Sequence, residues 1–380
     1  MSVPAVFAEP ETGRRPFVSI DGWALKSNWR SLATVAERAR TGAAVKADGY
    51  GLGAVTAAKA LFGAGCRDFF VAWAEEGVAV REAMAGKNAR IFVLQGLDGE
   101  AARLAREHKL VPVLSTPDDI AVWRDSETGH LSAPCALQFE TGMHRLGLDE
   151  AEARKAARLS KEGRLDIALV MSHLASADIL YSGQSDEQLD RFHQLTKPFA
   201  YVGRSLANSA AIFRGAKYHF DLTRPGIALY GGRDGIEDGG AIRPVVTLNA
   251  HVLQIAKVKK GEPVGYAATQ RMDKAARIAT IGVGYADGYP RSASGVVPAR
   301  GTGKPPEMFA AGRRVPVVGR VSMDMTTVDI SALPEDALKP GDTVEVFGPN
   351  VSVDEVAHRS GTIAYELLTS LGARVQRRWV

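Results

Sequence analysis

IFVLQGLDGEAARLAREHKLVPVLSTPDDI, residues 91–120, holds the pattern that decides the fold. It opens on the apolar run Ile91-Phe92-Val93-Leu94, passes through a segment of helical period, and returns to Val111-Pro112-Val113-Leu114. Thr116-Pro117-Asp118-Asp119 then supplies an N-cap, a first-turn proline and early acids for the next helix. Short, near-continuous apolar runs read as strands buried on both faces, the mark of parallel sheet.

The same unit recurs on either side. Ala43-Ala44-Val45, Phe69-Phe70-Val71-Ala72, Cys135-Ala136-Leu137-Gln138-Phe139 and Ile167-Ala168-Leu169-Val170-Met171 are further runs, with weaker ones at Val202 to Ala207 and His219 to Leu222. Between them, Ala54, Val55, Ala58, Leu61 and Phe62 share one helical face, and Gly63 and Gly65 stop that helix. Ser185 with Gln188 three residues later reads as a capping box ahead of Leu189, Phe192 and Leu195. About eight such units between Val18 and Gly232 are what a TIM-type (β/α)8 barrel requires. A doubly wound open sheet shares the period, so the pattern favours the barrel without excluding the sheet.

After Arg243 the texture changes. Val246, Leu248, Ala250 and Val252 alternate with polar residues, as half-buried strands do. Val315 to Ile330 and Thr343 to Phe347 are also β-like, separated by turns at Lys260-Gly261-Glu262-Pro263 and Pro340-Gly341-Asp342. One last helix is expected over Ser352 to Leu371. The expected division is a flexible segment 1–14, an α/β barrel over 15–243, and a mainly antiparallel β-rich domain over 244–380.

Composition narrows the function. With 46% hydrophobic and 24% charged residues in 380, the chain is an ordinary globular protein of two-domain length. A net charge of +4 is spread along it, except for the tail Arg374-Val375-Gln376-Arg377-Arg378, which reads as solvated surface. Nothing electrostatic argues for nucleic acid. Cys66 and Cys135 give neither a disulfide framework nor zinc spacing, and read as small core residues in a reducing cytoplasm. No metal site and no membrane span are expected.

Chemistry in a barrel sits where strands end. The first such place reads Val45-Lys46-Ala47-Asp48-Gly49-Tyr50-Gly51-Leu52-Gly53. Desolvation there lowers a lysine's pKa and frees its amine to form a Schiff base. A lone lysine that snorkels to the rim is the ordinary alternative. The second place, Ala207-Asn208-Ser209 with Arg224-Pro225-Gly226-Ile227, sits where many barrels bind phosphate. Its ordinary alternative is an N-cap serine and a helix-starting turn.

Here the chain resembles the alanine racemases, from about Arg15 to Trp379. The resemblance is carried by AAVKADGYGLGA (43–54), ETGMHRLGL (140–148), SHLASAD (172–178), ANSAA (207–211), FDLTRPGIALYGG (220–232), VGYAAT (264–269), IGVGYADGYPR (281–291), VGRVSMDMTTVDI (318–330) and IAYELLTSLGARVQR (363–377). Nine motifs in family order across two domains are highly specific. The resemblance implies an enzyme that interconverts L- and D-alanine with pyridoxal 5'-phosphate, acting as a homodimer with shared active sites. A racemase for serine, lysine or a broader range is the nearest alternative. A non-catalytic carrier of the cofactor and a basic-amino-acid decarboxylase fit less well: a carrier needs no opposing base, and the decarboxylase's phosphate loop and late cysteine are not found.

By the same resemblance, Lys46 holds the cofactor through a Schiff base and is one of two acid/base groups. Tyr266 matches the opposite base, placed across a dimer interface. Tyr50, Ser209, the backbone of Gly226 and Ile227, and Tyr365 match the phosphate set. Arg224 faces the pyridine nitrogen, and His173 links it to the tyrosine. Arg145 and the Met323 N–H receive the substrate carboxylate. Asp178, Tyr285, Arg291, Arg320 and Ile363 line the entrance. Read alone, Tyr285 and Tyr365 could equally be interface aromatics and His173 a core histidine. Gln138 is a departure, because many family members carry a carbamylated lysine there and glutamine cannot be carbamylated. No carbamate is expected at 138.

The chemistry explains the set. Racemisation takes a Cα proton from one face and returns one to the other, so two opposed bases are simplest. A tyrosine with a pKa near ~10 is a poor base at neutral pH unless cations favour its phenolate, which His173 coupled to Arg224 could supply.

Overall fold

The computed structural model describes residues 13–125, 133–179, 181–236, 242–295 and 304–380. The expected flexible segment 1–14 therefore lies outside the described residues, apart from Gly13 and Arg14. Two compact units result, one of residues Ala24–Arg243 and one joining the stretch that ends at Trp23 to Pro244–Val380.

The first unit is the barrel. Seven parallel strands succeed one another around it: Ala43–Ala44, Asp68–Val71, Arg90–Val93, Val111–Leu114, Cys135–Gln138, Ile167–Met171 and Arg204–Ser205. An eighth, Leu222–Thr223, closes the ring. It pairs in parallel with Arg40–Thr41, the start of the opening strand, while the Asp221 and Arg224 amides donate to Arg204 and Ala207 at 3.0 and 2.9 Å. Gly42 interrupts the opening strand because a side chain there would meet the Asp68 carbonyl and the Phe70 ring at 2.9 Å.

Every residue of Asp68–Val71, Val111–Leu114 and Cys135–Gln138 is buried, which is why these runs read as unbroken apolar text. Each fully buried leucine or phenylalanine among them contributes about 1.5–3 kcal/mol. Asp68, the one acid among them, is neutralised by Arg90 at 2.5 Å. Cys66 and Cys135 are buried and free, as expected.

Outside the staves, Ala54–Ala64 buries Ala54, Ala57, Ala58 and Leu61 and ends at Gly65 with φ +123°. Pro117–Asp125 carries the reciprocal cap its sequence suggests: Thr116 Oγ accepts from the Asp119 amide at 3.1 Å, and the Asp119 carboxylate accepts from Ser115 and Thr116. The expected box at Ser185 does not form. Gln184–Thr196 starts after Gly183 with no side-chain cap, because Ser185 is buried and Gln188 is drawn into the barrel mouth.

The second unit is a closed β-structure. Ala276–Ile281, Thr326–Asp329, Arg313–Val318, Glu307–Ala310, Thr343–Phe347 and Val246–Val258 pair in that order, and the last returns to the first. All six pairings are antiparallel. Val246–Val258, 13 residues long, serves two sets of neighbours, and a bulge between Val252 and Gln254 turns it from one to the other.

The structure corrects three further expectations. Phe17–Ile20 does not belong to the barrel, to which residues from 15 onward were assigned: it pairs antiparallel with Val246–Val258 and parallel with Gln376–Trp379. The basic tail is not merely solvated. Arg377 donates to the carbonyls of Leu371, Gly372 and Val375 at 2.6–2.7 Å, and Arg378 lies 3.9 Å over the Phe17 ring. The last helix is two, Val353–Arg359 and Ala364–Thr369, broken where Gly361 takes φ +72°.

Candidate active site

Lys46 follows two residues after the opening strand Ala43–Ala44, and the backbone immediately after it is unusual. Ala47, Asp48, Gly49 and Tyr50 all take left-handed angles, with φ between 50° and 62°. Each L-residue in that region costs roughly 1–2 kcal/mol, so three non-glycine residues must be held from outside. The Gly49 amide donates to Val45 and the Gly53 amide to the Asp48 carbonyl, both at 2.8 Å. Asp48 Oδ1 accepts from the Ala54 amide at 2.8 Å, and Glu76 Oε1 accepts from the Ala47 amide at 2.7 Å. Asp48 thus has a structural task that its sequence position did not reveal.

The turn carries Tyr50 into the wall, 6% exposed and stacked on Tyr230 at 4.7 Å. The Tyr50 hydroxyl then presses against backbone. A Cβ on Gly226 would lie 2.1 Å from that oxygen, so glycine is the residue that permits the approach. Gly226→Ala is expected to cost about 1–3 kcal/mol through overpacking, read as a lowered melting temperature; an unchanged melt would mean that Tyr50 steps aside freely.

Ser209 faces the same corner. Its Oγ accepts from the amides of Gly226 (2.9 Å) and Ala228 (3.3 Å). A hydroxyl whose lone pairs are taken has its proton left to give. The helix cap is Asn208, not Ser209, through Oδ1 to the Ala211 amide at 3.1 Å. Ile227 is buried as the first residue of the 3-10 turn Ile227–Tyr230.

Arg224 is 7% exposed. Its guanidinium donates to neutral oxygens among the described residues: Ser205 Oγ and the Ser172 carbonyl at 2.6 Å, and the Leu206 carbonyl at 3.5 Å. The charge is retained at neutral pH although burial lowers its pKa. Lys46 lies in the field of Arg145 and Arg224, with Glu76 opposing them. Desolvation is the larger cause, and together they bring the amine below the ordinary lysine range.

Arg145 projects from the loop after Cys135–Gln138. Glu140 organises that loop, its carboxylate accepting from the amides of Gly142, Met143 and His144. Gln138, at the base, donates from Nε2 to the Leu146 carbonyl at 3.0 Å. The glutamine therefore steadies the backbone of the loop next to Arg145.

His173 comes two residues after the sixth strand, Ile167–Met171. Burial first, then Arg224, Arg145 and Lys46, drive its ring down to about 3. It is a neutral imidazole at physiological pH, so the cationic neighbourhood expected of His173 and Arg224 comes from the arginine. Its backbone is held by a network that the sequence did not announce. Gln188 Nε2 donates to the His173 carbonyl at 2.9 Å, and Oε1 accepts from Ala175 at 2.8 Å. Thr141 and Ser172 hydroxyls meet at 2.7 Å, and Ser172 donates to Phe139 at 2.8 Å. The nearest signal was a glutamine on the buried face of a helix.

A depressed histidine makes stability pH-dependent. The unfolded ring takes a proton near pH 6.5 that the folded ring refuses until about 3, so stability falls as pH drops through that window. His173→Gln is expected to flatten the decline of melting temperature between those values. Equal slopes in both proteins would count against it.

The other expected residues lie on the second unit. Tyr266 opens the 3-10 turn Tyr266–Ala268 and is 69% exposed. That turn is set by Gly265 at φ +76°, whose added Cβ would sit 3.2 Å from the Arg320 amide, and by Gln270 Oε1, which accepts from Gly319 at 2.5 Å. The Tyr285 and Ala286 amides donate to the carbonyls of Ser322 and Met323 at 3.1 and 3.0 Å. Tyr266, Arg320, Met323 and Tyr285 are thus tied into one loop cluster. A cleft of about 490 Å³ joins Tyr285 to Ser292, Thr362 and Glu366, beside Arg291, Ile363 and Tyr365. On the barrel, Asp178 lies against Gly235, whose added Cβ would meet its Cα at 2.3 Å.

The barrel motifs and the loop cluster have counterparts in known proteins. Residues 20–234 match the alanine racemase N-terminal domain family and residues 245–379 its C-terminal domain family. An alanine racemase of Rhizobium meliloti (strain 1021) is 44% identical over 374 residues, 96% of either chain. A biosynthetic alanine racemase of Agrobacterium fabrum is 42% identical over 366 residues, 96% of this chain and 93% of that one. Among solved structures, alanine racemase from Bartonella henselae with covalently bound pyridoxal phosphate superposes with TM-score 0.88 at 33% identity, covering 97% of this chain and all of the other. With both domains matched, and with relatives above 40% identity along nearly the whole length, the chain belongs to the alanine racemase family.

Proposed function

We propose that this protein interconverts L- and D-alanine, as a pyridoxal-phosphate-dependent isomerase whose cofactor is anchored on Lys46. The observation that carries the reading is the left-handed turn joining Lys46 to Tyr50, whose hydroxyl lies against the same Gly226 backbone that Ser209 holds. The donor set fits the cofactor. A phosphate dianion needs hydroxyl and amide donors close to backbone, which Tyr50, Ser209 and Ile227 offer; the Gly226 amide, held by Ser209 Oγ, would turn to the phosphate when it binds, and Tyr365 completes the set in this reading. An unprotonated pyridine nitrogen accepts from a donor that keeps its own proton, which the Arg224 guanidinium is. When bound, pyridoxal phosphate draws the electrons of the substrate's Cα–H bond into its ring.

The chain's own residues do the rest. Lys46, its pKa lowered by burial and the neighbouring arginines, accepts or returns a proton on one face of Cα. Tyr266 does so on the other. Arg145 and the Met323 amide receive the carboxylate and orient the Cα–H bond. Asp178, Tyr285, Arg291, Arg320 and Ile363 limit what enters, which makes the site a filter for small amino acids. Because Tyr266 stands open on the surface of its unit, we assign it to the partner's site in a homodimer. A cytoplasmic location belongs to the same reading, supported by the two buried free thiols; among the described residues no helix is long and apolar enough to cross a membrane.

Incubating the cofactor-loaded protein with single enantiomers of alanine in heavy water tests the function. Expected are conversion of each enantiomer to the other and deuterium at Cα. Carbon dioxide release, or cofactor binding with no exchange, would replace the reading with a decarboxylase or a carrier. Serine and lysine enantiomers, run alongside, define the range.

A further inference from the structure

We propose that Glu76 is a positioning residue for Lys46: its carboxylate pins the first residue of the left-handed turn and is the anion set against the two arginines that face the amine. The inference rests on Lys46 being the cofactor's anchor.

Glu76 is the third residue of the helix Ala74–Ala83, where a glutamate ordinarily turns back to cap its own helix. One oxygen does this. Oε2 accepts from the Ala72 amide at 2.7 Å and from the Trp73 amide at 3.4 Å. The other leaves the helix altogether, and Oε1 accepts from the Ala47 amide at 2.7 Å. One carboxylate therefore ties the end of Asp68–Val71 to the residue next after Lys46. Ala47 is the first residue of the turn at positive φ, so its amide direction decides where the turn begins and where the preceding side chain emerges.

The charge has a second consequence. The groups facing the amine are Arg145 and Arg224, which disfavour its protonated form, and Glu76, which favours it; His173 is neutral. Asp48, on the same turn, directs its carboxylate to the Ala54 amide. Glu76 is thus the residue that keeps the anchor nitrogen from losing its proton too readily. Deletion of the charge alone and shortening of the side chain alone should separate the two roles.

Glu76→Gln removes the charge and leaves one acceptor where two are needed. Glu76→Asp keeps the charge and loses a methylene of reach. In the holoenzyme, visible absorption monitored against pH is expected to show its midpoint moved to lower pH by at least half a unit in Glu76→Gln, and little moved in Glu76→Asp. Cofactor retention, measured by dilution and fluorescence, is expected to weaken at least tenfold in both. Glu75→Gln, an exposed neighbour in the same helical turn, should change neither. A Glu76→Gln protein within twofold of wild type in dissociation, with an unmoved midpoint, overturns the proposal. Should Glu76→Gln not fold, as judged by its melt, Glu76→Asp with unweakened retention overturns it equally. Borohydride reduction and peptide mapping keep the two readings apart. A cofactor found on another lysine sinks the anchor assignment, whereas a cofactor on Lys46 with an unresponsive Glu76 sinks this inference alone.

Discussion

Lys46→Ala is expected to abolish alanine racemisation and to leave a protein from which the cofactor washes out on gel filtration. Losing a positioned acid/base group alone costs about 10²–10⁴-fold, and here the covalent anchor goes with it. The barrel should survive. Lys46 is only partly buried at the strand end, and the turn behind it is held by Glu76, Asp48 and backbone amides rather than by the amine. The check is a chiral assay together with borohydride trapping and a melting curve. A variant that racemises within tenfold of wild type, or that still carries reduced cofactor on a lysine, would show that the amine lies elsewhere.

Tyr266→Phe is the second large effect. It removes one oxygen from a side chain that is 69% exposed in its own unit, so folding should be untouched. Racemisation is expected to fall about 10²–10⁴-fold, the ordinary worth of a general base. The loss should be one-sided. With Lys46 intact, Cα exchange with heavy water should persist for the enantiomer whose proton faces the amine and collapse for the other. Exchange rates for both enantiomers within about threefold of wild type would remove Tyr266 from the reaction. Mixing Lys46→Ala with Tyr266→Phe adds a test of shared sites. If each site takes one base from each subunit, a mixed dimer has one intact site, and random mixing restores about a quarter of the wild-type rate. No recovery would place both bases in one chain.

How much of this is readable from the residues depends on whether a signal is local. The central staves are legible because doubly buried strands leave continuous apolar text, as Phe69 to Val71 and Val111 to Leu114 do. Phe17–Ile20 is misplaced by sequence because four alternating residues carry no mark of which sheet will take them. Their partners, Val246–Val258 and Gln376–Trp379, lie far away along the chain. The arginines of the tail read as solvated because nothing nearby shows that Phe17 lies beneath Arg378 or that three carbonyls await Arg377.

The candidate site divides in the same way. Motifs name Lys46, Tyr50, Ser209, Arg224 and Tyr266, but not Glu76 or Gln188. Both have local sequence contexts that look like helix capping. Their decisive bonds go to Ala47 and to His173, 29 and 15 residues away, and such bonds exist only once the barrel has closed.

The cluster of Lys46, Arg145 and Arg224 has a cellular consequence. Arg145 and Arg224 press positive charge on the amine and on a neutral imidazole, and Glu76 offsets it in part, so a bound anionic cofactor would add to the stability of the folded barrel. Vitamin supply would then tune the lifetime of the protein as well as its activity. At a free cofactor level one hundred times the dissociation constant, mass action adds about 2.7 kcal/mol to folding. Starved of the vitamin, the same chain would spend more time open to proteolysis, and turnover would clear molecules that cannot work.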